Sequence, residues 1–503
     1  MPLVAAWATL TALIAVFREQ SDLVRSQVAR DHVVVCGLGR RGLQLTKSFL
    51  ERGRPVVAIE SDRAGAGIEE ARRGGARVVL GDASDTDVLR RAGIRRARCL
   101  VALCGADASN AAIVARLAAL ADQRRRPLDA FAHINRLELA DDLTSAALAG
   151  EAPGLSVEWF NVHDRAAKAM LREHADLVTR ASTASTPHLV IVGIDDLAMS
   201  LVVNSSRQWL ALAGPDGGRL RVTVASPGST EWLHALETRY PALSRVALLD
   251  AYEDDLRSGA SGPEAERRLS DATAVFVAGD DDTASIELAF AAERIVGEDS
   301  PIVVRLLIES TGFVELLARS GAAGRIDVFG VINRTLSPEM LTDSLHETIA
   351  RMFHDQYLAT VGQTGPRYED LDESFKESNR AHARHVSTKL TAVGCGLRPL
   401  NDWTTELTRF SPEEVEQLAR LEHERWLEER AAAGWRYGPE RDDDRRLNPY
   451  MVDYDELPDA VREYDRVFVR SLPSTLAAAG YQVYRLGAVE HEPTPRLQES
   501  PAS

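Results

Sequence analysis

Cysteine is scarce in this sequence of 503 residues. The four cysteines are Cys36, Cys99, Cys104 and Cys395. They form no Cys-x-x-Cys pair, and none lies at a spacing from histidine that is typical of zinc ligands. Because Cys36 lies inside an apolar run and the next two flank another, we interpret them as buried thiols in a reducing compartment. The sequence therefore predicts cytoplasmic domains without disulfides and without a metal site.

Excess positive charge is also lacking. The chain has 59 Lys and Arg residues against 75 Asp and Glu residues, which gives a formal net charge of -16 at pH 7. A nucleic-acid-binding surface needs a basic face that neutralises phosphates. Local arginine runs, such as residues 95–98 and 124–126, are typical of solvated helix ends and turns. We therefore expect no nucleic-acid partner.

Residues 3–17 are a long apolar segment without a charge. As a helix this segment would span only about 22 Å, whereas the hydrocarbon core of a bilayer is roughly 30 Å thick. It has neither the basic start nor the small-residue cleavage site of a secretory signal. Three interpretations stay open: a buried or interfacial helix, a helix that docks on a partner, and the end of a membrane helix. The last would attach the protein to the inner face of the cell membrane.

Short β-branched runs alternate with helical segments along the first part of the chain. The predicted strands are residues 32–36, 55–60, 77–80, 99–103 and 131–134, and the predicted helices are residues 43–52, 68–73, 85–92 and 110–121. Strands that alternate with helices at this spacing specify a parallel sheet that helices cover on both faces.

The same order recurs in a second half, which indicates an internal duplication. Its predicted strands are residues 188–192, 220–224, 245–249, 274–277 and 302–306. Residues 80–82 align with 248–250 and residues 103–110 with 277–285, and amphipathic helices are predicted at 162–174 and 337–357. The fold class is therefore α/β, with two tandem Rossmann-like parallel-sheet domains followed by a mainly helical domain. The expected divisions are an N-terminal helix and linker at 1–30, domains at 31–180, 186–358 and 361–486, and a disordered tail at 487–503.

A glycine-rich loop follows the first strand and opens the first helix. Its sequence is Gly37-Leu38-Gly39-Arg40-Arg41-Gly42. The glycines allow a tight turn, close approach to a pyrophosphate and close packing of helix on strand, and the helix N-terminus favours phosphates. Glu60, eighteen residues past Gly42, would accept hydrogen bonds from a ribose diol and disfavour a 2′-phosphate. The ligand predicted is NAD(H), ATP or ADP, with an empty structural Rossmann unit as the alternative.

These motifs resemble the TrkA-N, or RCK (regulator of potassium conductance), domain family. The resemblance also rests on Ile59-Glu60-Ser61-Asp62, on Gly81-Asp82-Ala83-Ser84-Asp85 and on residues 88–94. It implies that Arg40 contacts phosphate and that Asp82, beside Ala83, lies near the adenosine. The family usually has Asp at the position of Glu60, so the reach of the carboxylate differs here. The resemblance also implies tandem units that pair face to face in a dimer or higher homo-oligomer.

The duplicate of the loop, Gly193-Ile194-Asp195-Asp196-Leu197-Ala198, lacks two of the three glycines. Two carboxylates stand where an anion would bind, and they would repel it. The absent glycines would also keep the backbone away from a phosphate. We interpret the second domain as a degenerate copy that is retained for packing and pairing.

Residues 418–486 resemble the prokaryotic RyR domain, a repeat first named in ryanodine receptors. The resemblance rests on His423-Glu424-Arg425-Trp426, on residues 434–438 and 442–443, on Pro449, on residues 454–458 and on residues 464–466, with Asn448 as a departure from the usual His. The candidate ligand-binding residues are Trp426, Trp435, Tyr437, Asp442, Asp443, Tyr454 and Arg466. Their aromatic faces and charges could sandwich a planar base and bind its sugar. The alternative is that the tryptophans are core and that Asp465 and Arg466 form an internal ion pair. His423-Glu424 begins no metalloprotease motif because residue 427 is Leu.

Two candidate ligand-binding modules without a catalytic centre are typical of a sensor, so we expect no enzyme and no catalytic residues. The leading hypothesis is a nucleotide-sensing regulator that controls potassium transport by a membrane channel or transporter subunit. The chain has no filter-like TVGYG segment and cannot itself conduct. A second hypothesis is a stress or antiviral-defence sensor that detects ADP-ribose or a cyclic nucleotide through the RyR domain. A third is an NAD-dependent oxidoreductase, for which His133 and His163 are available although neither lies in a recognisable catalytic arrangement.

Overall fold

Residues 33–173 form a first Rossmann unit with a six-stranded parallel sheet in a computed structural model. The model describes residues 22, 26–121, 127–149, 154–174, 187–213, 218–258, 262–308, 312, 325–338, 345–361, 365–400 and 407–486. The strands are β1 Val33–Cys36, β2 Val56–Glu60, β3 Arg77–Leu80, β4 Cys99–Ala102, β5 Leu128–His133 and β6 Leu155–Phe160, in the order β3-β2-β1-β4-β5-β6. The helices are α1 Arg40–Glu51, α2 Gly67–Arg73, α3 Thr86–Arg91, α4 Asp107–Ala121, α5 Leu137–Ala149 and α6 Val162–Glu173.

The five strands predicted for this unit are confirmed, and a sixth was missed. Every residue of β1 is buried, as expected for a central parallel strand that helices cover on both faces. Strand β6 lies at the sheet edge, and only its two end residues are fully buried. Its sequence, LSVEWF, mixes polar and apolar residues and therefore lacks the β-branched run that marks the inner strands.

Residues 188–335 form a second Rossmann unit with the same topology. Its strands are β7 His188–Val192, β8 Leu220–Ala225, β9 Ala247–Tyr252, β10 Ala274–Val277, β11 Ile302–Leu306 and β12 Ile326–Gly330, in the order β12-β11-β10-β7-β8-β9. Its helices are α7 Asp196–Ala213, α8 Ser229–Arg239, α9 Leu243–Val246, α10 Pro263–Leu269, α11 Asp282–Glu293 and α12 Val331–Thr335. The duplication is confirmed. The strand predicted at 245–249 begins two residues later because the short helix α9 precedes it.

The two Rossmann units pack together through α6 and α7. Ala167 and Met170 of α6 belong to the same hydrophobic cluster as Leu201 of α7. The Asn204 side-chain amide donates a hydrogen bond of 2.8 Å to Asp164 Oδ1 across this interface. A shared apolar core ties the orientation of one sheet to that of the other, because separating the units would expose this surface.

The C-terminal module comprises residues 345–486 and is mainly helical, as predicted. Its helices are α13 Leu345–Val361, α14 Glu373–Arg384, α15 Val386–Ala392, α16 Pro412–Ala432 and α17 Asp459–Ala478. Strands β13 Cys395–Pro399 and β16 Tyr481–Arg485 pair antiparallel, and β14 Arg436–Tyr437 pairs in parallel with β15 Leu447–Asn448. Single 3-10 turns occur at Ile94–Arg96, Leu256–Ser258, Tyr368–Asp370 and Tyr454–Glu456.

Helix α13 differs from its expected place. The sequence predicts one helix at 337–357 at the end of the second Rossmann unit, whereas the structure has α12 at Val331–Thr335 and α13 at Leu345–Val361. Phe353 of α13 packs with Leu390 and Leu472 in the core of the C-terminal module. The module in turn contacts the first Rossmann unit, where α5 packs on β13.

No helix in the described part of the chain is long and apolar enough to cross a membrane. The apolar segment at residues 3–17 and the tail at residues 487–503 lie outside the described residues.

Candidate functional site

The Gly37 loop, residues 37–42, connects β1 to α1 at the carboxyl edge of the first sheet. Gly37 has a φ of +90°, which side chains rarely tolerate. A Cβ at Gly42 would lie 1.8 Å from the carbonyl oxygen of Gly37, so helix and strand approach closely only because residue 42 is glycine. A Cβ at Gly39 would instead project into open space, with no atom within 4 Å. The open side of Gly39 is where a pyrophosphate would approach the loop.

Glu60 ends β2 beside this loop. Its Oε2 accepts a 2.6 Å hydrogen bond from the backbone N–H of Leu38, and its Oε1 accepts one of 3.0 Å from the N–H of Asp62. The sheet places the carboxylate at the loop because β2 lies next to β1. These two contacts hold Glu60 where a ribose bound along the loop would meet it.

Asp82 and Ala83 follow β3, the next strand outward. Asp82 is exposed, and its Oδ1 accepts hydrogen bonds of 2.8 Å from both the N–H and the hydroxyl of Ser84, which lower its pKa. Ala83 is buried beneath it. Burial, and then the charges of Glu60 and Asp82, raise the pKa of Cys104 to about 11, and this thiol follows β4 at the same edge of the sheet. The ends of β1 to β4 thus bring the predicted residues to one edge.

The two arginines of the loop point to different places. Arg40 is exposed at the start of α1 and has no ion-pair partner among the described residues. Arg41 is partly buried, and its guanidinium lies 3.2 Å from His133 Nε2 and 3.4 Å from Asn135 Oδ1 at the end of β5. Burial and the charge of Arg41 lower the pKa of His133 to about 3, so the neutral ring accepts the hydrogen bond. Arg41 is therefore held at the end of β5, whereas Arg40 is the exposed arginine of the loop.

Asn110 is a site residue that the sequence analysis did not single out. Its amide nitrogen donates to the carbonyl oxygens of Cys104 (3.0 Å) and His133 (2.9 Å), and its Oδ1 accepts from the N–H of Cys104 at 2.9 Å. Asn110 therefore fixes the ends of β4 and β5 to each other. The internal repeat could have revealed this residue. At the aligned position of the second unit, the Ser285 hydroxyl accepts a 3.2 Å hydrogen bond from the backbone N–H of Gly279.

The duplicate loop differs in both charge and access. Asp195 Oδ1 accepts a 2.8 Å hydrogen bond from the N–H of Ala198, so its own carboxylate occupies the helix N-terminus. Burial raises the pKa of Asp195 to about 6. The backbone N–H of Gly37 donates a hydrogen bond to the carbonyl oxygen of the residue that precedes Glu60. The equivalent N–H of Gly193 donates one to the carbonyl oxygen of the residue that precedes Ser226. Ser226 therefore stands where Glu60 stands in the first unit, and the second unit has no carboxylate for a ribose there.

The residues predicted to bind a ligand in the C-terminal module fall into separate groups. The rings of Trp426 and Trp435 flank the guanidinium of Arg430, at 5.9 and 5.4 Å from their centroids. Tyr437 is 60% exposed on β14. Asp442 accepts from the N–H of Arg445 at 2.9 Å. These side chains belong to the surface formed by the end of α16 and the β14–β15 pair.

Tyr454 and Arg466 belong to a different part of the module. Tyr454 is buried in a core with Val415 and Leu418. The tryptophans, which the alternative interpretation places in the core, are only partly buried. Arg466 pairs with Glu416 at 2.7 Å and with Asp459 at 2.9 Å, rather than with its neighbour Asp465. Asp443 pairs with Arg441 at 2.8 Å on the surface.

A buried cluster of charges joins α15, α16 and α17. The ammonium of Lys389, which is fully buried, contacts the Glu422 carboxylate, and Arg425 pairs with the other oxygen of Glu422 at 2.8 Å. Burial, and then the charge of Glu422, raise the pKa of Asp465 to about 7. The pair of Lys389 and Glu422 ties α15 to α16, because each buried charge loses its partner if one of these helices moves.

The described ranges contain no group of three or more His, Cys, Asp or Glu side chains that could hold a metal ion.

Two family profiles match the chain: the TrkA-N domain at residues 33–148 and the RyR domain at residues 398–485. Potassium channel protein 1 of Methanocaldococcus jannaschii is 31% identical over 96 residues, which are 19% of this chain and 28% of that protein. The voltage-gated potassium channel Kch of Escherichia coli is 33% identical over 87 residues, which are 17% of this chain and 21% of that protein. The matches thus span less than a third of either relative.

Among solved structures, the GsuK channel bound to NAD is similar to this chain, with 14% sequence identity and a TM-score of 0.40. The similarity covers 74% of this chain and 67% of that one. The two profile matches identify a TrkA-N domain in the first Rossmann unit and, after a second Rossmann unit, a RyR domain in the C-terminal module.

Proposed function

We propose that this protein is a nucleotide-responsive regulator whose first Rossmann unit binds NAD(H) or an adenine nucleotide at the Gly37 loop. The geometry of the loop carries the proposal. Gly42 allows the close turn, Gly39 faces open space, and Arg40 stands exposed at the start of α1. A pyrophosphate on the open side would receive backbone N–H groups and the charge of Arg40.

Glu60 favours ligands with a free ribose diol. Its carboxylate is fixed beside Leu38 by a hydrogen bond of 2.6 Å. A 2′-phosphate would bring a second negative charge to this carboxylate, so we expect NAD(H), ADP or ATP rather than NADP(H).

The duplicated unit supports a switch rather than a second binding site. Asp195 fills the helix N-terminus of the second unit, and Ser226 replaces the ribose-binding carboxylate. One unit would therefore bind the nucleotide while the other reads its position through the α6–α7 interface. A nucleotide that prefers one arrangement of the two units shifts the population toward it, and a membrane partner would sense that shift.

Isothermal titration calorimetry of the purified chain with NAD, NADH, ADP and ATP tests this binding. Arg40→Ala should weaken binding by at least about tenfold, because a hydrogen bond to a charged group contributes about 1.5–3 kcal/mol. Arg95→Ala, another exposed arginine of the same unit, is the matched control and should leave the affinity unchanged. Absence of heat with all four nucleotides would refute the proposal.

We propose a potassium channel or transporter subunit as the partner, because the TrkA-N segment is homologous to segments of potassium channel proteins. Rubidium uptake by source cells that carry the native gene or a Gly39→Ala allele tests this partner. We expect the allele to change uptake while the protein level stays constant. Equal uptake at equal protein level would exclude potassium transport as the regulated process.

A stress or defence sensor that works through the RyR domain is the second candidate. The observation that favours it is the stack of Trp426, Arg430 and Trp435 beside the exposed Tyr437, since aromatic faces and a guanidinium can bind a planar base. Titration of the full chain with ADP-ribose should then give heat that Trp435→Ala removes and Arg40→Ala retains. Heat that only Arg40→Ala removes would assign the ligand to the Gly37 loop instead.

An oxidoreductase is the least supported function. Burial lowers the pKa of His133 to about 3 and that of His163 to about 4. Both rings are therefore neutral near pH 7, and the imidazolium form that serves as a general acid is scarce there. Hydride transfer to any member of a substrate panel would restore this hypothesis.

A further inference from the structure

A cavity of about 410 Å³ lies where the two Rossmann units and the C-terminal module meet. Helices α5 and α6 and strand β6 form most of its wall, α7 and α12 contribute from the second unit, and α13 and the α17–β16 turn contribute from the C-terminal module. Small-molecule sites typically enclose about 300–1,000 Å³ and often lie between domains. None of the lining residues belongs to the Gly37 loop.

The lining is rich in positive charge, although the chain as a whole is acidic. Six basic side chains face the cavity: Arg165, Lys168, Arg172, Arg207, Arg334 and Arg351. The carboxylates in the lining are those of Asp141, Glu158 and Asp164. Six positive charges against three negative charges leave an excess of three within the lining.

The basic residues form an inner set and a rim. Arg165 and Arg207 are 15% and 11% exposed, and they pair with Glu158 and Asp141, respectively. Lys168 and Arg334 at the rim are 49% and 39% exposed. At the rim, Lys168 pairs with Asp164 at 2.8 Å, and Arg334 pairs with Glu173 at 3.0 Å. Because partly exposed ion pairs are weak, an anion at the rim can compete with these carboxylates for the two cations.

Neutral donors complete the lining. Tyr481 at the start of β16 faces the cavity, and burial together with the nearby carboxylates raises its pKa, so its hydroxyl remains a donor. Thr335 and Thr348 add hydroxyl groups from the other two walls. Guanidinium groups, ammonium groups and hydroxyls in one concave space are the set of groups that binds phosphate.

Residues that line the cavity also make direct contacts between the three units. The Nε of Arg207 in the second unit donates a 3.0 Å hydrogen bond to the carbonyl oxygen of Leu400 in the C-terminal module. Arg334 of the second unit pairs with Glu173 of the first at 3.0 Å. A ligand in the cavity would therefore contact three units at once.

We propose that this cavity binds a compact anion with at least two linked phosphate groups, and that the bound anion holds the C-terminal module against the paired Rossmann units. The site is separate from the Gly37 loop, so the chain would respond to two ligands. Each ligand stabilises the arrangement of the three units that it binds most tightly. The two binding events are therefore energetically coupled.

Calorimetry of the full chain with inorganic tripolyphosphate tests the proposal without a nucleotide that the Gly37 loop would also bind. The titration is carried out on the Arg40→Ala chain, so that its outcome does not depend on the proposed nucleotide site. We expect binding that weakens with added salt, and a loss of at least about tenfold in affinity when Lys168→Ala and Arg334→Ala are added. Both residues are partly exposed, so these changes should preserve folding, which circular dichroism verifies.

Arg95→Ala is the matched control, because it removes an exposed arginine of the same first unit outside the cavity, and it should leave tripolyphosphate binding unchanged. The proposal is overturned if tripolyphosphate gives no heat, or if the Lys168→Ala, Arg334→Ala chain binds it as tightly as its parent.

Discussion

Two single-methyl substitutions in the Gly37 loop should separate folding from ligand binding. At Gly39 the backbone has φ -62° and ψ -179°, which alanine adopts freely, and the added Cβ meets open space. Gly39→Ala should therefore change the free energy of unfolding by less than about 1 kcal/mol, in the stabilising direction if at all. At Gly42 the Cβ would lie 1.8 Å from the carbonyl oxygen of Gly37, so the backbone must move. We expect Gly42→Ala to cost about 1–3 kcal/mol or more.

Nucleotide affinity should follow a different order. The new methyl of Gly39→Ala stands between the loop and a pyrophosphate, so it should remove at least one hydrogen bond from a backbone N–H to phosphate and weaken binding by at least about tenfold. Chemical denaturation without ligand and calorimetry with NADH and ADP measure the two effects on the same samples. If Gly39→Ala unfolded as easily as Gly42→Ala, or bound nucleotide like the parent chain, the argument from loop geometry would be refuted.

Three further substitutions test charges that the structure fixes. Glu60→Gln should narrow the preference for NADH over NADPH in calorimetry, since it removes the charge that repels a 2′-phosphate; an unchanged ratio would contradict this role. Glu422→Gln leaves Lys389 buried without its carboxylate and should lower the free energy of unfolding by about 3–5 kcal/mol, and a loss below about 1 kcal/mol would disprove it. Burial raises the pKa of Asp465 to about 7 in the folded chain, whereas an unfolded Asp has a pKa of about 3.9. Between these pH values the folded chain keeps a proton on Asp465 that the unfolded chain has lost, so the free energy of unfolding falls as pH rises from about 4 to 7. Asp465→Asn should flatten this part of the stability–pH curve, and equal slopes for the two chains would show that Asp465 does not titrate this way.

The sheets could be predicted wherever a strand is buried on both faces. The β-branched runs of β1 and β10 are fully buried, and both were recognised. The edge strands β3 and β9 were recognised from short apolar runs. The opposite edge strands β6 and β12 were missed because polar residues such as Glu158 and Asp327 interrupt their apolar pattern. Helix α13 was recognised as a helix, but its packing against the C-terminal module depends on contacts distant in the sequence.

The placement of the proposed nucleotide-binding residues at one sheet edge was predictable, because these residues lie at strand ends with fixed spacing. Local sequence did not distinguish Arg40 from Arg41, since their directions depend on where β5 ends and presents Asn135. The sequence did not reveal that the candidate ligand-binding residues of the C-terminal module lie in separate places. Tyr454 lies in the core, and Arg466 is held by carboxylates on two helices. Charge and aromaticity alone do not reveal such partners.

The stoichiometry of nucleotide binding to the full chain tests the central claim most directly. The Gly37 loop is open at Gly39, whereas Asp195 caps the helix that follows the duplicate loop at Gly193. Calorimetry with NADH or ADP should therefore give one nucleotide per chain, and Gly39→Ala should remove that binding. Two nucleotides per chain would mean that the second loop also works, and none would mean that the first does not.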